Sequence, residues 1–140
     1  MEKQINIGIH QIKELEFSII PKKEIKEDSI KINLSVNTQI YKEEDLFEIF
    51  ITVDLLNNDD NQNLVHIKVS NIFKVENILQ FENEEKTHLN IPDGGLVTML
   101  SLSISHARAL LAKNTSGSVY ENFHVPIVNP TEIAKQVFKK

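Results

Sequence analysis

Four stretches in the first half of the chain place an apolar residue at every second position, and this alternation narrows the fold more than any other feature. Side chains of an extended strand point alternately to opposite faces, so a period of two marks strands with one buried face. In the first stretch Ile5, Ile7 and Ile9 share one parity. The phase slips near His10-Gln11, because Ile12 has the wrong parity, and resumes with Leu15, Phe17 and Ile19. Such a slip predicts a bulge or bend. Pro21 stops the strand, and residues 22–28 form a charged connection. The second stretch carries Ile30, Ile32, Leu34, Val36 and, after Thr38, Ile40. The third carries Phe47, Ile49, Ile51, Val53 and Leu55 on one face, with Leu46, Phe50 and Leu56 among polar residues on the other. The fourth carries Val65, Ile67, Val69, Phe73 and Val75. The links at 42–45 and 57–63 are short and polar, which favours antiparallel hairpins. The pattern predicts a four-stranded antiparallel meander.

After Phe81 the pattern changes. Ile91-Pro92-Asp93-Gly94-Gly95 is a turn signal. A helix is predicted over 95–113, with Leu100, Ile104, Ala107 and Leu111 in one stripe at helical spacing. Leu96, Val97, Met99, Leu102 and Leu110 spread apolar surface around most of the cylinder. A helix apolar nearly all round is buried on more than one side. One sheet covers one side, so the second cover is either another subunit or the chain's own loop and last helix. The sequence favours the subunit, with Val97, Leu100, Ile104, Arg108 and Leu111 as interface residues. Arg108, the lone arginine, is expected to pair with a carboxylate there. Asn129-Pro130-Thr131-Glu132 starts a short final helix, because Asn129 can cap it and Pro130 fits its first position. The fold class is therefore α+β, in one domain over residues 1–140: sheet, long helix, short C-terminal helix.

Composition removes several functions. With no cysteine there are no disulfides, thiolate metal sites or thiol chemistry. The net charge of -5 and the single arginine disfavour nucleic acid. The first residues show no basic leader with an apolar core. The apolar stretch 96–111 is interrupted by Ser101, Ser103, Ser105, His106 and Arg108, and reads as too short and too polar to insert in a membrane. A soluble cytoplasmic protein is expected. The five histidines have no zinc spacing, and a calcium loop around residues 54–65 fails because Leu64 stands where glycine is needed. Gly94-Gly95 lacks the rest of a phosphate loop, and Ser116-Gly117-Ser118 is not a nucleophile elbow. Nothing selects a catalytic pair of carboxylates. No enzyme, metal or cofactor is expected.

The order of elements resembles the SecB family of protein-export chaperones. Ile91-Pro92 with the following helix, the run from Ser105 to Leu111, and the Ser116-Gly117-Ser118 loop are similar to that family. So are the segment from Phe123 to Asn129, with its Pro126, and the pattern from Ile12 to Phe17 in the first strand. The resemblance implies a homotetramer, binding of unfolded polypeptides and contact with the translocation motor ATPase. It departs at the end of the chain, where Lys140 directly follows the last helix and the family's longer tail for the motor is missing. A dedicated role toward one partner, such as an antitoxin, is the alternative.

A receptor for unfolded chains needs exposed apolar and aromatic surface with charged rims. The aromatic-rich run from Tyr41 to Phe50, with Leu46 and Phe47, rises out of charged residues. Tyr120 and Phe123, in the loop after the long helix, are the expected opposite wall. Phe47 and Phe50 have opposite parity, so one of them belongs to the core.

Overall fold

The structure, a computed structural model, describes residues 4–138. Residues 1–3, read above for a leader, and the two terminal lysines lie outside them. Four strands, β1 (Ile7–Ile19), β2 (Ile30–Tyr41), β3 (Leu46–Asn57) and β4 (Asn63–Val75), precede α1 (Asp93–Thr115) and α2 (Pro130–Val137). The α+β class, the antiparallel sheet and both helices are as expected.

The strand order is β1-β4-β3-β2. The short links make β2, β3 and β4 a meander. A meander running through all four strands would put β1 beside β2; β1 pairs with β4 instead, at the opposite edge. The link of residues 20–29 is long enough to pass over the end of the sheet, where Asn58 N donates to Ser29 O at 2.7 Å. Rows such as Phe17, Ile67, Val53 and Leu34 run across all four strands on one face. The phase slip in β1 is a register break between Ile9 and Gln11. A second break, between Glu14 and Glu16, returns Phe17 and Ile19 to the helix side.

α1 lies across β3 and β4, with α2 at its flank. Leu96, Met99, Leu100, Ile104, Ala107 and Leu111 are buried against the sheet. Ser103 and Thr115, also buried, donate their hydroxyls to the carbonyls of Met99 and Leu111, each at 2.8 Å, so the buried face holds no orphaned polar side chain. Gly95 is required by close approach: a Cβ there would stand 2.7 Å from Ile5 Cδ1. α1 is longer than the apolar stretch suggested. It has 23 residues, and an 18-residue window within it has a mean hydropathy of 1.3, enough by length and composition to cross a membrane. Its seat on the sheet gives a sufficient reason for that apolarity.

Candidate functional site

β2 extends beyond the cover that the helices supply. α1 sits over β3 and β4, so the last helix-side residues of β2, Thr38 and Ile40, are exposed. Ile40 keeps 37% of its surface. Opposite them the segment after β4 returns across the sheet and is held by a bridge between Glu82 and Leu89. Asn90 N donates to Phe81 O at 2.7 Å. Between these walls lies a groove of about 310 Å³, lined by Thr38, Ile40, Phe47, Leu89, Ile91 and Phe138 among others. Its floor is Phe47, which packs edge-on to Phe138 with ring centroids 6.1 Å apart. A second hollow of about 290 Å³ lies between α1 and α2 and shares Leu96 and Phe138 with the first. Phe138 thus borders both hollows. Charged residues of both signs are exposed in the segments that adjoin it: Glu43 and Glu44 after β2, and Glu84, Glu85 and Lys86 before His88, while Lys42 Nζ lies 3.7 Å from Glu82.

The residues expected to form this surface are scattered. Phe47 belongs to the groove floor but is buried. Tyr41, Leu46 and Phe50 project from the far face of the sheet, away from the helices, as the pairing of Tyr41 with Leu46 and of Phe50 with Ser70 dictates. The Tyr41 hydroxyl donates to Glu48 Oε1 at 2.6 Å, and that bond holds the phenol above its ordinary pKa. Lys68 Nζ stands 5.2 Å over the Phe50 ring. Tyr120 corrects the expectation most. It is fully buried, and its hydroxyl donates to Ile20 O at 2.7 Å. Ile20 lies beside Leu64 at the start of β4, whereas Tyr41 lies near Lys74 at its end. The length of β4 separates the two tyrosines, so they cannot wall one groove. Phe123, half-buried, follows Tyr120 in the same loop.

The helix residues expected at an interface also resolve differently. Leu100, Ile104 and Leu111 are buried within their own chain and are not free to meet another. Val97 is half-buried at the hollow beside α2. Among the described residues Arg108 pairs with no carboxylate. Its Nε and Nη2 donate to the carbonyls of Val125 and Pro126, each at 2.9 Å, and so bind the segment before α2 to α1. This segment and α2 supply a second cover for the helix from within the chain. Asn129 caps α2 as expected, accepting from Thr131 N at 3.0 Å and Glu132 N at 3.4 Å.

The titratable side chains serve the sheet. His66 is gripped from both sides: Nδ1 lies 2.6 Å from Asp54 on β3, and Nε2 lies 2.8 Å from Glu16 on β1. These bonds, that to Glu16 first, raise the His66 pKa above its ordinary 6.5. The carboxylates occupy opposite ring nitrogens and do not converge on one point. Among the described residues no three such groups are placed to hold a metal ion. Under α1, Asn71 Nδ2 donates to Ile49 O at 3.2 Å, which turns Oδ1 toward His106 Nδ1 at 2.7 Å. Burial lowers the His106 pKa.

The groove residues missed by the sequence reading come from three distant segments. Ile40 was visible as the end of the alternation in β2, and Phe138 as part of the apolar side of the last helix. Leu89 carried no signal.

No protein-family model matches the chain, and no curated protein matches it. Among solved structures it is similar to the Mycobacterium tuberculosis Rv1957 SecB-like chaperone, in complex with a ChAD peptide from the Rv1956 HigA1 antitoxin. The two share 11% identity, with 88% of this chain and 91% of that chain covered and a TM-score of 0.58. The fold is SecB-like.

Proposed function

We propose that this chain is a holding chaperone that takes apolar segments of non-native polypeptide into the groove beside β2. One observation carries the reading: an open apolar depression, floored by Phe47 and edged by exposed Ile40, with exposed charged residues in the adjoining segments. Such a surface receives apolar side chains while its charged border keeps it soluble. The SecB-like fold supports the reading, since the similar Rv1957 structure is a chaperone holding a peptide. The activity is binding, with no reaction and no cofactor, in the cytoplasm and without nucleic acid or membrane insertion. The working assembly is a homotetramer. Exposed Ile9, Ile12 and Leu15 along β1, beside half-buried Leu102 and Leu110, leave apolar surface for it.

A second reading, a dedicated chaperone for one partner such as an antitoxin, is favoured by the antitoxin peptide in the similar structure. Delivery to the translocation motor ATPase is the alternative use of the same groove. The test is light scattering as several unrelated denatured proteins are diluted into the chain. Suppression of aggregation for all of them supports a general holder. Suppression for a single client supports the dedicated role. No suppression for any, including a co-expressed antitoxin, overturns both. The double variant Thr38→Asp, Ile40→Asp should remain folded by circular dichroism, because both positions are exposed, and should lose most of the effect.

A further inference from the structure

The open face of the sheet, turned away from the helices, carries a charge opposite to that of the chain, which is -5 overall. Lys13, Lys31, Lys68 and Lys74 stand on this face, as their pairing with Ser70, Leu56, Thr52 and Leu46 dictates. Among the described residues none of the four lies within ion-pairing distance of a carboxylate. Lys74 donates to a backbone carbonyl, that of Glu44, at 2.9 Å. The strands place three carboxylates on the same face, and each is engaged from within the sheet. Glu48 is buried and accepts from Tyr41 and Ser70. Glu16 and Asp54 face opposite nitrogens of His66. A carboxylate only accepts, so an imidazole held between two of them carries both protons and is itself a cation. Apolar surface lies among these charges: Phe50, Ile72 and Leu46 are half-buried. The row of Lys13, Ser70 and Phe50 crosses β1, β4 and β3, and Lys68 Nζ reaches over the Phe50 ring.

We propose that this face docks an acidic segment of a protein partner, with its carboxylates on Lys13 and Lys68 and its apolar side chains on Phe50 and Ile72. Opposite potentials bring two surfaces together and fix their register, and an aromatic side chain among the charges supplies contact area. The lysines are free to take this role because no carboxylate of the sheet holds them. Charge also selects the occupant. A nucleic acid would bring its unbroken phosphate charge against the acidic remainder of the chain, and the face has no arginine to grip phosphate in a fork. A short acidic segment meets the local cations alone. The surface is separate from the groove, which opens on the helix side, so the proposal stands or falls apart from the holding of clients.

The probe is a synthetic twelve-residue peptide in which glutamates alternate with leucine, phenylalanine and serine. Its counterpart carries lysine in place of every glutamate. Fluorescence anisotropy should show the acidic peptide binding the full chain and the basic one failing to bind. The double variant Lys13→Gln, Lys68→Gln should lose about tenfold in affinity, and about 0.5 M salt should weaken binding by the parent. A spin label on the acidic peptide should broaden the nuclear resonances of the Phe50 ring and the Ile72 methyls and spare those of Ile40 in the groove. This last measurement uses the parent chain and does not depend on the variant folding. Equal binding of the two peptides, or no binding of the acidic one, overturns the proposal and leaves the groove reading as it stands. Broadening at Ile40 in place of Phe50 assigns the peptide to the groove and overturns it. Tighter binding of a single-stranded oligonucleotide than of the acidic peptide overturns it in favour of nucleic acid. Loss of subunits from the double variant without any peptide assigns the face to a second copy and likewise overturns it.

Discussion

The two faces of the same sheet are held by different physics. On the helix side, Ile49, Ile51, Val53, Leu55, Ile67, Val69 and Phe73 are fully buried, and the attraction between them has no direction. On the other side Glu48 is buried within the sheet's own side chains. It accepts from the Tyr41 hydroxyl and from Ser70 Oγ. Further along that face, His66 ties β1, β4 and β3 together through Glu16 and Asp54. The lesson concerns tolerance. The helix side requires volume and apolarity, whereas the open side requires particular partners in particular protonation states.

The largest expected effect breaks the helix side. Ile51→Ala in the middle of β3 removes a fully buried side chain beneath α1 and should cost about 2–5 kcal/mol. Chemical denaturation at two pH values should give the same loss. Next comes Arg108→Ala, which leaves two carbonyls without their charged donor and should cost about 1–3 kcal/mol. Hydrogen exchange should locate the damage in residues 119–137, with the sheet unchanged. Loss of assembly with that segment still protected would show instead that Arg108 serves a subunit contact. On the open side, Glu48→Ala should cost about 1–2 kcal/mol by depriving two hydroxyls of their acceptor. The double variant with Tyr41→Phe should then cost less than the sum of the single changes. Strict additivity would mean that the buried carboxylate and the phenol do not depend on each other.

The same contrast explains what the sequence disclosed. Burial follows parity, so the alternating residues of β3 and β4 were legible, as was the slip at His10 in β1. The neighbour of β1 was not legible, because residues 20–29 are long enough to reach either edge of the sheet, and pattern does not choose between edges. Directional contacts were harder still. Tyr120 reads as a loop aromatic near the surface, yet it is buried in the core, with its hydroxyl bonded to Ile20 O, a hundred positions away. Arg108 reads as half of an ion pair, yet backbone carbonyls satisfy it. Ile40 shows how the groove was missed. Its place in the alternation marks it as inward-facing, but parity says only which face a residue points to. Whether a helix covers that face depends on where α1 comes to lie.

The smallest expected effect sharpens the comparison through pH. The His66 pKa is raised above 6.5, so its contribution is complete below that value and is lost as pH rises through the folded pKa. The Glu16 pKa is lowered from 4.5, chiefly by the bond to His66, so its contribution is present above 4.5 and is lost as pH falls through the folded value. The clasp is therefore strongest between 4.5 and 6.5. His106 works in the opposite sense: burial lowers its pKa, so protonation on acidification opposes folding at the Asn71 contact under α1. Melting temperatures of the parent and of His66→Gln, measured from pH 5 to pH 9, separate the two. The parent's advantage over His66→Gln should be greatest near pH 5–6 and should shrink toward pH 9. Its size should fall within the range of exposed ion pairs, because Glu16 faces solvent. In 1 M salt the advantage should shrink further, while the loss in Ile51→Ala should persist. An advantage that is constant with pH would assign His66 a packing role and would remove the distinction between the two faces at that position.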